Sequence, residues 1–219
     1  MLNRPVAALL ALLTLACGGK SAKPAPEPAT PAREPVRPLI TTPFAGQIIA
    51  VTPLTLVVGE EPITSQPPLT DRVRTLFWAD SLLAAAATGR SPEVKWVLPA
   101  ELRKMARRAP TVAPDPDRMG QSLLRGSKID EVPDPLRSNL RSLMAIAGGR
   151  YVLVPAALAF VNEPAGAPLP VRAELSLALV DTRTGKVVWR SVAWATGATP
   201  ERALVAALNF VFPVGLGLR

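Results

Sequence analysis

Residues 171–197 read VRAELSLALVDTRTGKVVWRSVAWATG, and this stretch decides the fold of the chain. Every second residue of its first half faces the same way, a period of two that is typical of a strand with one buried face. The residues on that face are Ala173, Leu175, Leu177 and Leu179. Asp181 can bond its own backbone, and Gly185 takes a positive φ at little cost, as a tight turn with a bulge requires. With a return strand at residues 187–194, the stretch predicts a long β-hairpin with the sheet core on one side.

The two tryptophans of the return strand make a prediction about its faces. Trp189 and Trp194 differ by an odd number of positions, so without an intervening bulge they point to opposite sides of the sheet. One indole is then expected in the core and the other on the far face. An exposed tryptophan beside other apolar residues would mark a partner surface.

Upstream of the hairpin, short apolar runs alternate with helical patterns. Strands are predicted at residues 48–51, 94–98 and 151–158 because these runs are short and almost continuously apolar. A helix is predicted from the N-cap Asp71 to Gly89, and a final helix begins at Pro200. The first of these helices has its apolar positions at Val73, Leu76, Phe77, Leu83, Ala84 and Ala87. The order predicts an α/β fold: a mixed, mostly parallel sheet covered by helices, with a C-terminal antiparallel β-hairpin and a final helix.

Asp80 falls on the apolar stripe of the first helix. A buried carboxylate needs a partner or has its pKa raised, so Asp80 marks either a functional site or a bond to the N–H groups of a neighbouring loop. The second interpretation is the more common one.

The first residues predict export and lipid attachment. Residues 1–16 contain one basic residue, a short apolar run and a small residue before Cys17, the pattern of a signal peptide. LTLAC followed by two glycines resembles the lipobox of bacterial lipoproteins, which implies that Cys17 carries acyl chains. The residues after Cys17 contain no Asp, and for such lipoproteins this implies the periplasmic face of the outer membrane. The alternative is an ordinary signal peptide with an incidental cysteine.

Composition divides the mature chain into a tether and one domain. Residues 17–46 are rich in Pro and Ala with interspersed charges, and such a segment cannot bury enough apolar surface to fold. We therefore predict a lipidated Pro-rich tether at 17–46 and a single α/β domain at 47–219.

Missing residue types exclude most catalytic designs. The chain has no histidine, and Cys17 is its only cysteine. Catalysis by Ser-His-Asp or Cys-His, zinc sites of the usual type, disulfides and c-type haem attachment all need these groups. The sequence predicts neither a metal nor a cofactor site. An enzyme would have to rely on carboxylates, lysine or serine.

The chain is basic, with a formal net charge of +8, and this favours anionic partners. On the helix predicted to begin at Pro99, four positive residues are expected to share one face: Arg103, Lys104, Arg107 and Arg108. This face is predicted either to contact an anionic surface or simply to be solvated. Export and an aromatic content of only 5% argue against nucleic acid as a partner.

Asp115 and Asp117 flank Pro116 and invite a metal interpretation through paired carboxylates. No Gly-spaced loop rich in oxygen ligands accompanies them, so helix caps are the simpler interpretation. Together with Asp80, they would be the residues of a carboxylate-dependent enzyme if they converged in one cleft.

Five segments carry a resemblance to a known group. They read IIAVTPL, VRTLFWADSLL, VKWVLPAELRKM, AGGRYVLVPAAL and ELSLALVDTRTGKVVW, and span about residues 47–212. The pattern is similar to the superfamily that contains the N-terminal domain of TolB, the curli-secretion lipoprotein and the lipoprotein activators of penicillin-binding proteins. Its most specific piece is the turn with Asp181, Thr184, Gly185 and Trp189. The resemblance implies an envelope lipoprotein that binds or assembles with other proteins.

Three hypotheses follow from the sequence. The first is a membrane-anchored periplasmic lipoprotein that binds an envelope protein or a cell-wall partner without catalysis. The second is a carboxylate-dependent enzyme acting on envelope polymers, and the third is a subunit of an oligomeric secretion assembly.

Overall fold

A computed structural model describes residues 34–126 and 128–213 of the chain. Cys17, the predicted lipidation site, lies outside the described residues. The strands are β1 (Ile48–Val51), β2 (Val57–Gly59), β3 (Lys95–Val97), β4 (Tyr151–Asn162), β5 (Val171–Asp181) and β6 (Lys186–Gly197). The α-helices are α1 (Arg72–Arg90), α2 (Pro99–Arg108), α3 (Leu136–Ala147) and α4 (Pro200–Val211). None of the helices in the described ranges has the length and apolar character needed to cross a membrane.

The strands form one mixed sheet with the order β3-β1-β4-β5-β6. β1 is parallel to both β3 and β4, while β5 is antiparallel to its neighbours β4 and β6. β2 runs parallel to the second half of β4, so β4 carries β1 beside its first half and β2 beside its second. The predicted α/β class, with a mixed sheet, a C-terminal hairpin and a final helix, is confirmed.

The hairpin forms as the turn chemistry predicts. The side chain of Asp181 accepts a hydrogen bond from the N–H of Arg183 at 3.0 Å, and Gly185 has a φ of +79°. The register shifts after the pair Leu179–Trp189, so one extra residue of β6 is accommodated as a bulge near the turn. Asp181 also accepts two bonds from the guanidinium of Arg150, which lower its pKa to about 2. The turn is thereby fixed to the start of β4.

The sheet is covered on both faces rather than on one. One core lies between the sheet and helices α1 and α4, and it contains Leu175, Leu177 and Leu179 of β5. A second core lies between the other face and helices α2 and α3, and it contains Ala178 and Val180. The prediction of a core on one side of the hairpin is therefore wrong near its turn. Small and apolar residues at alternate positions there allow helices to pack on both faces.

Helix α1 buries only part of the predicted apolar stripe: Leu83, Ala87 and Asp80 are inside, whereas the first turns of that stripe are not. Its buried residues are Thr75, Ala79, Asp80, Leu83 and Ala87. Val73 and Phe77 were expected inside but are 62% and 54% exposed. The many alanines of α1 allow more than one apolar stripe, and the stripe that includes Ala79 and Leu83 is the one that packs on the sheet.

The two tryptophans of β6 lie on opposite faces, as their spacing predicts. Trp189 pairs with Leu179 and packs against the core of α1 and α4. Trp194 pairs with Glu174 on the other face and is half-buried there.

Residues 34–38, which we call the strap, run along the edge of β6. The N–H of Arg37 donates to Oγ of Ser191, and Nε1 of Trp189 donates to the carbonyl of Pro38. The next residue, Leu39, is 3% exposed and its N–H donates to the carbonyl of Val211 at 2.8 Å. Contacts with the folded domain thus begin well before residue 47, where the sequence placed the start of the domain. Tertiary contacts bind these residues although their composition alone is that of a linker.

We predict that Gly197→Ala lowers the free energy of unfolding by about 1–3 kcal/mol. A Cβ at this position would lie 2.4 Å from the backbone nitrogen of Ala203, so the end of β6 and the start of α4 would have to separate. Urea titration measures the change.

Gly89→Ala is the matched control, because an added Cβ there meets no atom within 4 Å. Within α1 the change is expected to raise stability by up to about 1 kcal/mol. Equal effects of the two substitutions would contradict the close approach at Gly197.

Candidate functional site

A buried carboxylate lies under α1, next to the segment that joins β1 to β2. Asp80 is 5% exposed. Its Oδ1 accepts a hydrogen bond from the N–H of Leu54 at 2.8 Å, and its Oδ2 accepts one from Nη2 of Arg103 at 2.7 Å. The interior position of Asp80 and its bond to a loop N–H, both predicted from the helical pattern, are confirmed.

Arg103 holds two carboxylates at once. Besides Asp80, it binds Asp117 through Nε to Oδ2 at 2.9 Å and through Nη2 to Oδ1 at 2.7 Å. Its guanidinium carbon also lies 4.5 Å from the centre of the Phe77 ring, a cation–π contact. We refer to Asp80, Arg103 and Asp117 as the acid–arginine triad. It connects α1 and α2 to the loop that follows α2.

Arg103 is therefore not part of an exposed basic face. Arg103 is only 7% exposed, and its neighbour Leu102 is fully buried, so both residues lie on the inward side of α2. The predicted face of four positive charges is wrong for this residue, because the buried charge of Asp80 requires a cation beside it. Lys104, Arg107 and Arg108 are exposed. Among described residues, none of these three forms a salt bridge with another described residue.

Burial dominates the electrostatics of the triad. Removal from water raises the pKa of Asp80 from 3.8 to about 6, against the opposing effects of the Leu54 N–H and of Arg103. Burial alone would lower the pKa of Arg103, but the hydrogen bonds to Asp117 and Asp80 outweigh it and the pKa is raised. Asp80 is thus a carboxyl group that changes charge in a pH range where few side chains of this chain titrate.

A cleft of about 420 Å³ opens beside the triad. Arg103, Arg107, Asp115 and Asp117 supply its charged lining. Its remaining lining is small and rigid, and consists of Ala106, Pro110, Ala113, Pro114 and Pro116. Asp80 is not among the lining residues, since Arg103 lies between it and the cleft.

Asp80 and Asp117 converge on Arg103 rather than in one cleft, and their geometry is that of a closed ion network. Both oxygens of Asp80 are already engaged, and both oxygens of Asp117 accept from Arg103. Oδ1 of Asp115 accepts the N–H of Asp117 at 3.0 Å, as a capping residue does. Two-carboxylate chemistry needs one group free to give a proton and one free to attack or activate water. The described residues also contain no cluster of three or more ligand side chains that could hold a metal ion.

Sequence patterns alone did not identify Arg103 as the partner of Asp80. A signal was present in the sequence: Asp80 lies on the apolar stripe of α1, and Arg103 follows a leucine on the inward side of α2. Two opposite charges on the inward faces of neighbouring helices are expected to pair, because neither can be buried alone.

On the far face of β6, Trp194 lies beside a second apolar side chain. Val192 is 45% exposed and occupies the same face two positions earlier. Trp194 itself is half-buried, so this face does not meet the condition stated from the sequence, an exposed tryptophan beside other apolar residues.

No family model and no curated protein matches the sequence. The C-terminal domain of LpoB from Salmonella enterica matches the structure with 15% identity and a TM-score of 0.39, covering 70% of this chain and 84% of that one. Lipoprotein GNA1162 from Neisseria meningitidis matches with 15% identity and a TM-score of 0.37, covering 72% and 84%. The PelC dodecamer from Paraburkholderia phytofirmans matches with 15% identity and a TM-score of 0.32, covering 83% of this chain and 92% of that one.

At these identities and TM-scores the matches are a similarity to solved structures and do not assign a family, so the superfamily indicated by the sequence resemblance stays a prediction.

We predict that the stability difference between the unmodified chain and Asp80→Asn depends on pH. The folded-state pKa of Asp80, about 6, lies above its ordinary value of 3.8, so the fold binds a proton more tightly than the unfolded chain does. This contribution is fully present below about pH 4 and is lost as the pH rises through 6. Asn cannot ionise and shows no such loss.

Between pH 4 and pH 7 the unmodified chain should therefore lose up to about 3 kcal/mol relative to Asp80→Asn. Urea titrations at several pH values measure this difference. The absence of histidine keeps the window free of other groups that ordinarily titrate near pH 6. A difference that stays constant across the range would contradict the raised pKa.

Proposed function

We propose that this chain is a lipid-anchored envelope protein, attached through acyl chains on Cys17 to the periplasmic face of the bacterial outer membrane. Its domain binds an envelope protein or cell-wall partner and does not catalyse a reaction. The anchor is supported by the lipobox-like sequence before Cys17. Several acyl chains at about 0.8 kcal/mol per buried methylene make such attachment stable.

One observation carries the non-catalytic part of the proposal: the acid–arginine triad is closed on itself. Asp80 is the residue whose environment most resembles that of a catalytic acid, since it is buried and has a raised pKa. Neither of its carboxylate oxygens faces the cleft, however, because one accepts the N–H of Leu54 and the other accepts a bond from Arg103. The triad is built to hold α1 and α2 together.

The surface around the triad has the composition of a binding surface. Phe77 and Val73 are exposed one helical turn apart on α1, and Val112 in the loop after α2 is 59% exposed. Arg107 and Arg108 lie at the end of α2 that leads into this loop. Aromatic residues and arginine are enriched in protein interfaces, and an exposed apolar patch with a charged rim is typical of them. We propose that the partner binds here and carries negative charge.

Acylation at Cys17 is predicted to be detectable by metabolic labelling with a fatty-acid analogue. Cys17→Ala should abolish the label, because no other thiol exists in the chain. Ser21→Ala, a neutral change in the tether, should leave it unchanged. Label that persists in Cys17→Ala would rule out the anchor.

Partner binding is tested with a photo-crosslinking amino acid in the intact lipoprotein in its own envelope. Placed at Phe77, it should give a discrete crosslinked product. Placed at Glu201, an exposed position on α4, it should not. A product that forms equally at both positions, or at neither, would contradict a partner surface beside the triad.

A further inference from the structure

Three hydrogen bonds join the strap to β6, and their order shows that the two segments run in opposite directions. Nε1 of Trp194 donates to the carbonyl of Glu34 at 3.2 Å, and Oγ of Ser191 accepts from the N–H of Arg37 at 3.0 Å. At the other end, Nε1 of Trp189 donates to the carbonyl of Pro38 at 3.1 Å. The strap therefore lies along the outer edge of the sheet, where a further antiparallel strand would lie.

Side chains of β6, rather than its backbone, make these bonds. Trp189 and Trp194 extend from opposite faces of the strand, so the two indoles hold the strap from both sides of the sheet. Ser191 lies between them and is 5% exposed. We call these three residues the edge site.

The strap is pre-shaped for such a site. Pro35 and Pro38 have φ near −65°, and the residues before them, Glu34 and Arg37, are restricted to extended backbone. The segment is thus biased toward polyproline II geometry before it binds, which lowers the entropy cost of docking. Its prolines lack the N–H groups that a strand would donate to β6, so side-chain bonds to its carbonyls take their place.

Specificity within the strap comes from its inward residues. Val36 packs against the core of α1 and α4, and Leu39 immediately after the strap is buried there. Glu34, Pro35 and Arg37 are exposed.

The sequence contains the pattern of the strap twice. Residues 34–38 read Glu-Pro-Val-Arg-Pro, and residues 27–31, which lie outside the described residues, read Glu-Pro-Ala-Thr-Pro. Ala29 and Ala32 stand in the earlier copy where Val36 and Leu39 stand in the strap. A Glu-Pro-x-x-Pro segment therefore satisfies the carbonyl bonds in either copy, but only the strap adds two buried apolar side chains.

We propose that Trp189, Ser191 and Trp194 form a binding site for an extended Glu-Pro-x-x-Pro segment of a partner protein, and that the strap occupies this site in cis. This rests on the proposed function, because it names the kind of segment by which a partner is recognised. Recognition of Pro-rich segments by aromatic side chains is a recurring mode, and here the aromatic side chains belong to the edge strand of the sheet. A partner segment must displace the strap, which is covalently attached and so competes at an effective concentration on the order of millimolar.

The test uses the full chain and a fluorescent peptide of residues 34–40. In Val36→Asp the strap should leave the site, since a carboxylate cannot replace a side chain packed on the apolar core. The peptide should then bind at least about tenfold more tightly to this variant than to the unmodified chain, because the cis competitor is gone. Adding Trp194→Phe, which keeps an aromatic side chain but removes the N–H donor, should weaken peptide binding about tenfold.

A peptide of residues 27–33 should bind at least about tenfold more weakly, because two alanines replace the buried side chains. If both peptides bind equally, or if Trp194→Phe has no effect, the edge site does not recognise this segment. Leu39→Asp is a second way to release the strap if Val36→Asp does not fold.

Hydrogen exchange on the unmodified chain is an independent measurement. The amides of Arg37 and Leu39 should be protected, and Ser191→Ala should speed the exchange of Arg37 but not of Leu39. Rapid exchange of both amides in the unmodified chain would overturn the proposal. A crosslink at Phe77 with no peptide binding would leave the proposed function standing and reject the edge site. Peptide binding with no crosslink would leave the edge site standing and reject the partner surface beside the triad.

Discussion

The need to neutralise one buried carboxylate organises much of this domain. Asp80 is carried into the interior by the stripe of α1 that packs on the sheet, where little of its surface is accessible to solvent. Arg103 must then lie against it, which fixes the position of α2 relative to α1. Because a guanidinium has five donors, Arg103 also holds Asp117 and so orders the proline-rich loop after α2. Removing Arg103 would leave Asp80 buried and uncompensated.

The same arrangement divides the charged residues of this region into a buried structural set and an exposed set. The charges of the triad are used inward, and the charges left outside, on Lys104, Arg107 and Arg108, face solvent. Phe77 lies between the two groups, with the guanidinium of Arg103 against its ring and more than half of its surface exposed. A partner that covers Phe77 would remove water from the outer side of the triad as well. Because the charge state of Asp80 depends on how far the triad is removed from water, binding at this surface would also affect that charge state.

Local sequence patterns predicted the strands and helices. Features that depend on tertiary packing could not be predicted from them. The hairpin was predictable because alternation and the turn from Asp181 to Gly185 are local signals, and the helix starts were predictable from their caps and prolines. The exposed side of α1 was not, because its alanines fit several packing faces and the sheet selects one. Arg103 was assigned to the wrong face since its partner lies on another helix. The strap has the composition of a linker, and only its contacts with β6 reveal that it is part of the domain.

The antiparallel course of the strap has a mechanical consequence. A force applied from the N-terminal side of Glu34 reaches the bond to Trp194 first, then the bond to Ser191, then the bond to Trp189. The contacts are loaded one after another, so each bond bears the force alone and breaks before the next is loaded. The buried Leu39, bonded to the end of α4, comes last and marks where peeling stops. Tension would therefore uncover the edge of β6 well before it disturbed the sheet, and the strap would act as a force-sensitive cover.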